Sequence, residues 1–170
     1  YLKKSFDIAL MLAKNGFTKK IINGPINKKN FLNKKFLGIT EYISKNFKKK
    51  NGMLIYNKEL SVCPLTTHLP IKQVAKKITK RLISEKIDII DGFFKKELKT
   101  KAKIAVTGLN PHCESVLKYN EDEKIIPQVI NKKINKGISI KGPFPADTIF
   151  LKKNRKKFNV ILGMYHDQVL

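Results

Sequence analysis

The stretch Phe158-Asn-Val-Ile-Leu-Gly-Met-Tyr-His-Asp-Gln-Val-Leu170 decides the reading of this chain. From Phe158 to Met164 it is mostly apolar, the composition of a strand covered on both faces. It then turns polar at once and sets His166 and Asp167 just past the run. In open α/β sheets, ligands gather beyond the carboxyl ends of parallel strands. The other histidines repeat the arrangement. His68 follows the apolar Val62 to Leu65, and His112 follows Ile104 to Val106. These three are all the histidines in 170 residues. Imidazole is the commonest protein metal ligand, so His68, His112 and His166 are candidate ligands of one divalent ion. Their separation matches no local metal motif, so the positions carry the argument and the spacing does not. Asp167, directly after His166, is placed to orient a ligating ring, as carboxylates commonly do.

Outward from that stretch, helix-like and strand-like segments alternate. Residues 4–15 read as helix and Lys20 to Asn23 as a short strand entering the Gly24-Pro25 turn. Thr40 to Phe47 reads as helix, and Met53 to Tyr56 and Ser61 to Leu65 as strands. Pro70 to Ser84, continuing to Leu98, reads as one helix with Val74, Ile78 and Leu82 along a face; proline suits its first turn. Lys103 to Val106 is a strand, and Glu121 to Lys136 a helix ended by Gly137. Ile138 to Ile140 is a strand. Such alternation predicts an α/β fold, in α/β/α layers around a largely parallel sheet. Residues 1–50 are expected to be part of a first domain and 51–170 most of a second, with a weakly marked boundary near 48–52.

Composition narrows the class. Hydrophobic residues make up 42% of the chain, as in a globular protein. A fold of this length buries roughly 70% of its unfolded surface, enough for a core without staples. No apolar run approaches the ~20 residues of a membrane span, so no membrane partner is expected. Cys63 and Cys113 form no CxxC, and a reducing cytoplasm is the expected setting. The net charge of +23 invites a nucleic-acid reading. However, arginine occurs only at 81 and 155, and nucleic-acid sites favour arginine and interleaved aromatics. Weak, salt-sensitive polyanion binding is expected, and no specific nucleic-acid partner; a basic nucleic-acid-binding module stands as the rival from another class. The chain opens on Tyr1 and stops four residues after His166. It is expected to be an internal piece of a longer protein, inactive by itself.

Two further segments carry chemistry. Asn23-Gly24-Pro25-Ile26-Asn27-Lys28 offers close backbone approach and a lysine for a carboxylate or phosphate. Lys141-Gly142-Pro143-Phe144-Pro145-Ala146-Asp147-Thr148 is a stiff loop presenting Asp147. Asn110 sets a small polar group beside His112, and Cys113 is either a soft fourth ligand or a buried bystander. GxGxxG and GxxxxGK[ST] are both absent from the sequence. Three neutral imidazoles leave positions open on an ion, which then polarises a hydroxyl or carbonyl.

Taken in order, Gly24-Pro-Ile-Asn-Lys28, Thr66-Thr-His-Leu-Pro70, Gly108-Leu-Asn-Pro-His-Cys-Glu-Ser115, Gly142-Pro-Phe-Pro-Ala-Asp-Thr-Ile-Phe150 and Met164-Tyr-His-Asp-Gln168 resemble the 4-hydroxythreonine-4-phosphate dehydrogenase family of pyridoxal phosphate biosynthesis. The resemblance runs from about Lys20 to Leu170. It implies a two-domain subunit similar in fold to isocitrate and isopropylmalate dehydrogenases. It also implies a homodimer with the active site shared across the interface. The implied reaction is NAD-dependent oxidation of 4-phosphohydroxy-L-threonine, then decarboxylation to 3-amino-2-oxopropyl phosphate. NAD is bound in that family without the glycine fingerprint. His68, His112 and His166 fall in its metal-binding segments, and the ion could be zinc, cobalt or magnesium.

The chain departs from the pattern at Gly38-Ile39-Thr40-Glu41, where the family commonly has Gly-His-Thr-Glu. Thr40 carries over as a substrate contact. Ile39 cannot hydrogen-bond or titrate. This motivates an alternative, a paralogous dehydrogenase acting on a threonate phosphate or a carboxylated dihydrodiol. The family's later Lys, Asn and Arg contacts would lie beyond Leu170. Asp147, Asp167, Lys28 and Asn110 are candidates for proton handling or ligand orientation.

Overall fold

Four parallel strands form the sheet in a computed structural model of the chain, and their order, β1-β4-β2-β3, is not their order in sequence. Residues 1–170 are described except 33–35, 37, 48, 49 and 115–119; for residues 28 and 29 only the backbone is. The chain divides into two units, Tyr1–Asn51 and Gly52–Leu170.

The first unit holds α1 (Leu2–Lys14), α2 (Lys28–Leu32) and α3 (Ile39–Phe47). Phe6 and Leu10 are the buried positions of α1. Phe6, Phe31, Phe36 and Tyr42 pack edge to face or tilted, with ring centres 4.8–6.0 Å apart. The expected strand Lys20–Asn23 does not form. Ile21-Ile22 has β-forming side chains, yet the segment finds no ladder partner among the described residues and Ile22 is fully exposed.

The second unit runs β1 (Ser61–Thr66), α4 (Ile71–Lys77), α5 (Lys80–Lys96), β2 (Lys103–Thr107), α6 (Glu121–Lys124), α7 (Ile126–Ile134), β3 (Ser139–Phe144), α8 (Ala146–Ile149), α9 (Lys152–Arg155) and β4 (Val160–Tyr165). Side chains alternate between sheet faces with period two. Val160, Leu162 and Met164 of β4 join Ile104 and Val106 of β2 in one core layer. There they meet Val74, Ile83, Ile87, Ile90 and Phe94 of α4 and α5, and Ile126, Val129 and Ile130 of α7. Ile161 and Ala105 face the other way, onto Ile149 of α8 and Val169. The central strands β2 and β4 carry no proline. Pro64 and Pro143 sit on the edge strands β1 and β3, where a missing N–H costs no ladder bond.

Several elements differ from the sequence reading. Met53–Tyr56 makes only a single antiparallel bridge, Ile55 with Val62. The long helix from Pro70 is two helices. Thr79 adopts extended geometry, and its hydroxyl accepts from the Leu82 amide, capping α5 and ending α4 at Ile78. The helix from Glu121 is likewise two, because Pro127 lies in the first turn of α7 and cannot continue α6. Gly137, at φ 78°, lies two residues past the α7 C-cap rather than next to it.

Between α5 and α7, the nearly buried Lys133 ammonium donates to Asp88 at 2.5 Å, while Asp88 itself is more than half exposed. The two partners should therefore respond unequally to mutation. Asp88→Ala strands a buried cation and should cost about 1–3 kcal/mol. Lys133→Met removes charge and burial penalty together and should stay within about 1 kcal/mol of wild type. Urea unfolding of both variants measures the difference, and equal losses would refute the asymmetry.

Candidate active site

Three consecutive strands of the sheet, β1, β4 and β2, end in the three histidine-bearing turns. His166 opens a 3-10 turn, His166–Gln168, immediately after β4. His68 lies two residues past β1, at φ 52°. Their rings stand 6.0 Å apart, centre to centre, tilted by 35°. Both line a pocket of about 230 Å³ with Thr66, Leu69, Tyr165 and Asp167. The His166 Nδ1 lies 2.7 Å from Asp167 Oδ1, so the carboxylate holds the ring from the side. Asp167 itself is well exposed.

His112 stands elsewhere. It occupies the middle of the 3-10 turn Pro111–Cys113, at φ 58°, and lines an adjoining pocket of about 280 Å³. Asn110, Asp147, Tyr165 and Gln168 share that pocket. Tyr165 is common to both pockets. The structure thus unites His68 with His166, and leaves His112 next door. Among the described residues, no group of three or more His, Cys, Asp or Glu side chains is placed to hold a metal ion.

One buried carboxylate holds the loop before His112. Asp122, in α6 and 2% exposed, accepts hydrogen bonds from the Leu109 amide at 2.6 Å and the Asn110 amide at 3.0 Å. It also accepts from Asn110 Nδ2 at 2.7 Å. The Asn110 amide nitrogen is thus engaged by Asp122, while the side chain still lines the His112 pocket. Gly108 keeps this corner open: a Cβ there would lie 2.6 Å from Cys113 Sγ and 2.7 Å from Asp122 Oδ1. His68, His112 and Cys113 all adopt left-handed backbone, which L-residues avoid at a cost of roughly 1–2 kcal/mol each. Such residues concentrate at functional turns.

Both thiols stay protonated at neutral pH. Burial pushes the Cys113 thiol up to about 11, and the Asp122 carboxylate adds to the push. Burial pushes the Cys63 thiol, in the β1 core, to about 11 against a partial opposing pull from Lys86. Without a bound ion, both are therefore weak nucleophiles. Asp147 is exposed in the first turn of α8, on the His112 pocket. Ile39 and Thr40 open α3 in the first unit. Lys28 opens α2, and its side chain lies outside the described residues, as does Ser115.

Three residues here were not singled out from the sequence. Gln168 could have been, since it ends the Met164-Tyr-His-Asp-Gln168 motif. Tyr165 sits in the same motif. Asp122 carried no signal beyond an acidic first helical turn.

Comparison with known proteins places this arrangement. The family described as pyridoxal phosphate biosynthetic protein PdxA matches residues 1–170. The 4-hydroxythreonine-4-phosphate dehydrogenase of Vibrio cholerae is 34% identical over 176 aligned residues, covering 100% of this chain and 53% of that protein. That of Bacteroides thetaiotaomicron is 36% identical, over 92% of this chain and 45% of its own. Among solved structures, the 4-hydroxythreonine-4-phosphate dehydrogenase of Klebsiella pneumoniae superposes with a TM-score of 0.79 at 29% identity, covering 94% of this chain and 50% of that one. A terephthalate 1,2-cis-dihydrodiol dehydrogenase from Burkholderia xenovorans shares the fold, with a TM-score of 0.73 at 19% identity. The chain spans about half the length of the curated relatives it matches. With its whole length matched and its sheet superposed, the chain belongs to the PdxA family of pyridoxal phosphate biosynthetic proteins.

Proposed function

We propose that this chain supplies the metal-binding half of a dehydrogenase subunit that oxidises 4-phosphohydroxy-L-threonine with NAD. The oxidised acid then loses carbon dioxide to give 3-amino-2-oxopropyl phosphate, on the route to pyridoxal 5′-phosphate. The observation that carries the reading is the pairing of His68 and His166 in one pocket at the carboxyl edge of the parallel sheet. The names and alignments of the relatives support it.

The donor chemistry fits a divalent ion in part. Two imidazoles converge and an adjacent carboxylate steadies one of them. His112 would complete the set only with a change at its turn or from a second copy. The latter favours a homodimer with the site shared between subunits. No residue of the chain is assigned to NAD. When bound, the ion supplies Lewis-acid polarisation of the substrate hydroxyl and NAD⁺ accepts the hydride.

The chain's own residues do the holding. His68 and His166 would hold the ion, with Asp167 orienting the His166 ring through Nδ1. Tyr165 walls both pockets and restricts where a substrate can lie. Asp147, exposed at the His112 pocket, is the carboxylate available there to take up a proton. Thr40 would touch the substrate, and Ile39 beside it offers only apolar contact. No helix among the described residues is long and apolar enough to cross a membrane, and a cytoplasmic setting is part of the proposal.

The test is metal uptake and turnover by the intact protein. His68→Ala and His166→Ala should each lower cobalt or zinc affinity at least tenfold, read by competition with a chromophoric chelator. Weak, salt-sensitive polyanion binding should be unchanged. Turnover is followed as NADH absorbance with 4-phosphohydroxythreonine, a threonate phosphate and a carboxylated dihydrodiol. Turnover of only one of the latter two would move the assignment to the paralogous reading that Ile39 motivates. Tight nucleic-acid binding with no metal uptake would overturn both.

A further inference from the structure

Pairing between β2 and β4 runs from Ile104–Val160 through Val106–Leu162 and then stops. Beyond that point one side chain replaces the ladder. The Gln168 amide oxygen accepts from the Met164 amide of β4 and from the Thr107 hydroxyl of β2, both at 2.7 Å. Its amide nitrogen donates to the Gly108 carbonyl at 2.7 Å. On the other side of β4, the Thr66 hydroxyl of β1 donates to the Met164 carbonyl at 2.9 Å. Gly108 opens the segment whose next two amides are gripped by Asp122. One continuous path therefore joins the His166 turn to the His112 loop, and Gln168 links the two directly.

We propose that Gln168 is a positioning residue that holds the His166 turn and the His112 loop in one frame. Its three hydrogen bonds all go to groups of the protein itself. Both lone pairs of its carbonyl oxygen are used, so the amide orientation is determined: the oxygen must face Thr107 and Met164, and the nitrogen must face Gly108. A carboxylate would keep the first two bonds and set a negative oxygen against the Gly108 carbonyl. Gln168→Glu therefore cuts only the link to the His112 loop. The consequence for ligand capture rests on the metal reading above; the mechanical link does not.

The experiment uses the intact protein labelled at histidine, with the His68, His112 and His166 signals assigned by single His→Ala deletions. Gln168→Glu should displace or broaden the His112 and His166 ring signals together and leave His68 least affected. Cobalt affinity should fall 10- to 100-fold, the usual cost of losing a group that orients a ligand. Ile87→Val, in the α5 core, serves as a destabilised control; it should lower Tm without moving those signals or the affinity. If Gln168→Glu fails to fold, Gln168→Met, which matches its length but removes all three bonds, should displace the His112 and His166 signals together. A change confined to His166, with His112 unmoved, would overturn the proposal. If wild type takes up no cobalt, the metal reading falls, and the histidine signals alone decide the link.

Discussion

Asp122→Ala should cost about 4 kcal/mol of folding stability and release the loop that carries His112. The carboxylate is buried and accepts three hydrogen bonds, two from consecutive backbone amides. Hydrogen bonds to a charged group contribute about 1.5–3 kcal/mol each, and a buried amide left without an acceptor costs about 1–3 kcal/mol. Removal leaves the Leu109 and Asn110 amides with no protein acceptor in a corner already crowded by Cys113 and Gly108. The effects are not additive, so the total lies near the upper end for a single substitution. Asp122→Asn should fall at about half that loss, because one amide oxygen can serve the two backbone donors only in part. Urea unfolding measures the stabilities. Hydrogen exchange at Leu109 and Asn110 should accelerate in Asp122→Ala while the amides of β2 stay protected. An Asp122→Ala protein within 1 kcal/mol of wild type would show that water replaces the carboxylate at no cost, and the clamp would have to be abandoned.

That clamp also marks where sequence reading stops. The strand ends were legible because apolar runs terminate abruptly at Thr66, Thr107 and Tyr165, and polar, chemistry-bearing residues follow directly. The sheet order was not. Parallel strands are joined by crossovers, with no turn chemistry to say that β4 inserts between β1 and β2. His68 and His166 could therefore not be known as neighbours, nor His112 as the outlier. The break at Thr79 was hidden because Ile78 and Leu82 continue the helical period across it, and a threonine cap looks like any polar residue. Pro127 was readable as a break but lay inside an otherwise periodic pattern. Lys20–Asn23 shows the reverse error, since β-propensity has no effect without a partner strand. Asp122 acts 12 and 13 residues from the amides it holds, across a loop, so nothing local announces it.

Gly163→Ala should be a strongly damaging single-methyl addition to β4, costing about 3 kcal/mol. Gly163 lies in β4 opposite Pro64 of β1. A Cβ there would fall 2.3 Å from Val169 Cγ1 and 3.3 Å from Gln168 Oε1. Val169 is buried against Ile161 and Ile149 on the same face, and its branched side chain has little rotamer freedom. The strand cannot retreat, because β1 and β2 are paired on either side of it. The 3-10 turn must therefore lift, taking Gln168 and then His166 with it. Overpacking of this kind typically costs 1–3 kcal/mol. A double-mutant cycle isolates the contact. Val169→Ala alone should lose about 1–2 kcal/mol of burial, yet combined with Gly163→Ala it should restore at least about 1 kcal/mol relative to the sum of the two. The same double variant should recover cobalt affinity lost in Gly163→Ala, since the His166 turn settles back against the strand. Additive stabilities would show that the strand, and not the turn, absorbs the extra methyl. In that case the close packing of Val169 over Gly163 is not what holds His166 at the end of β4.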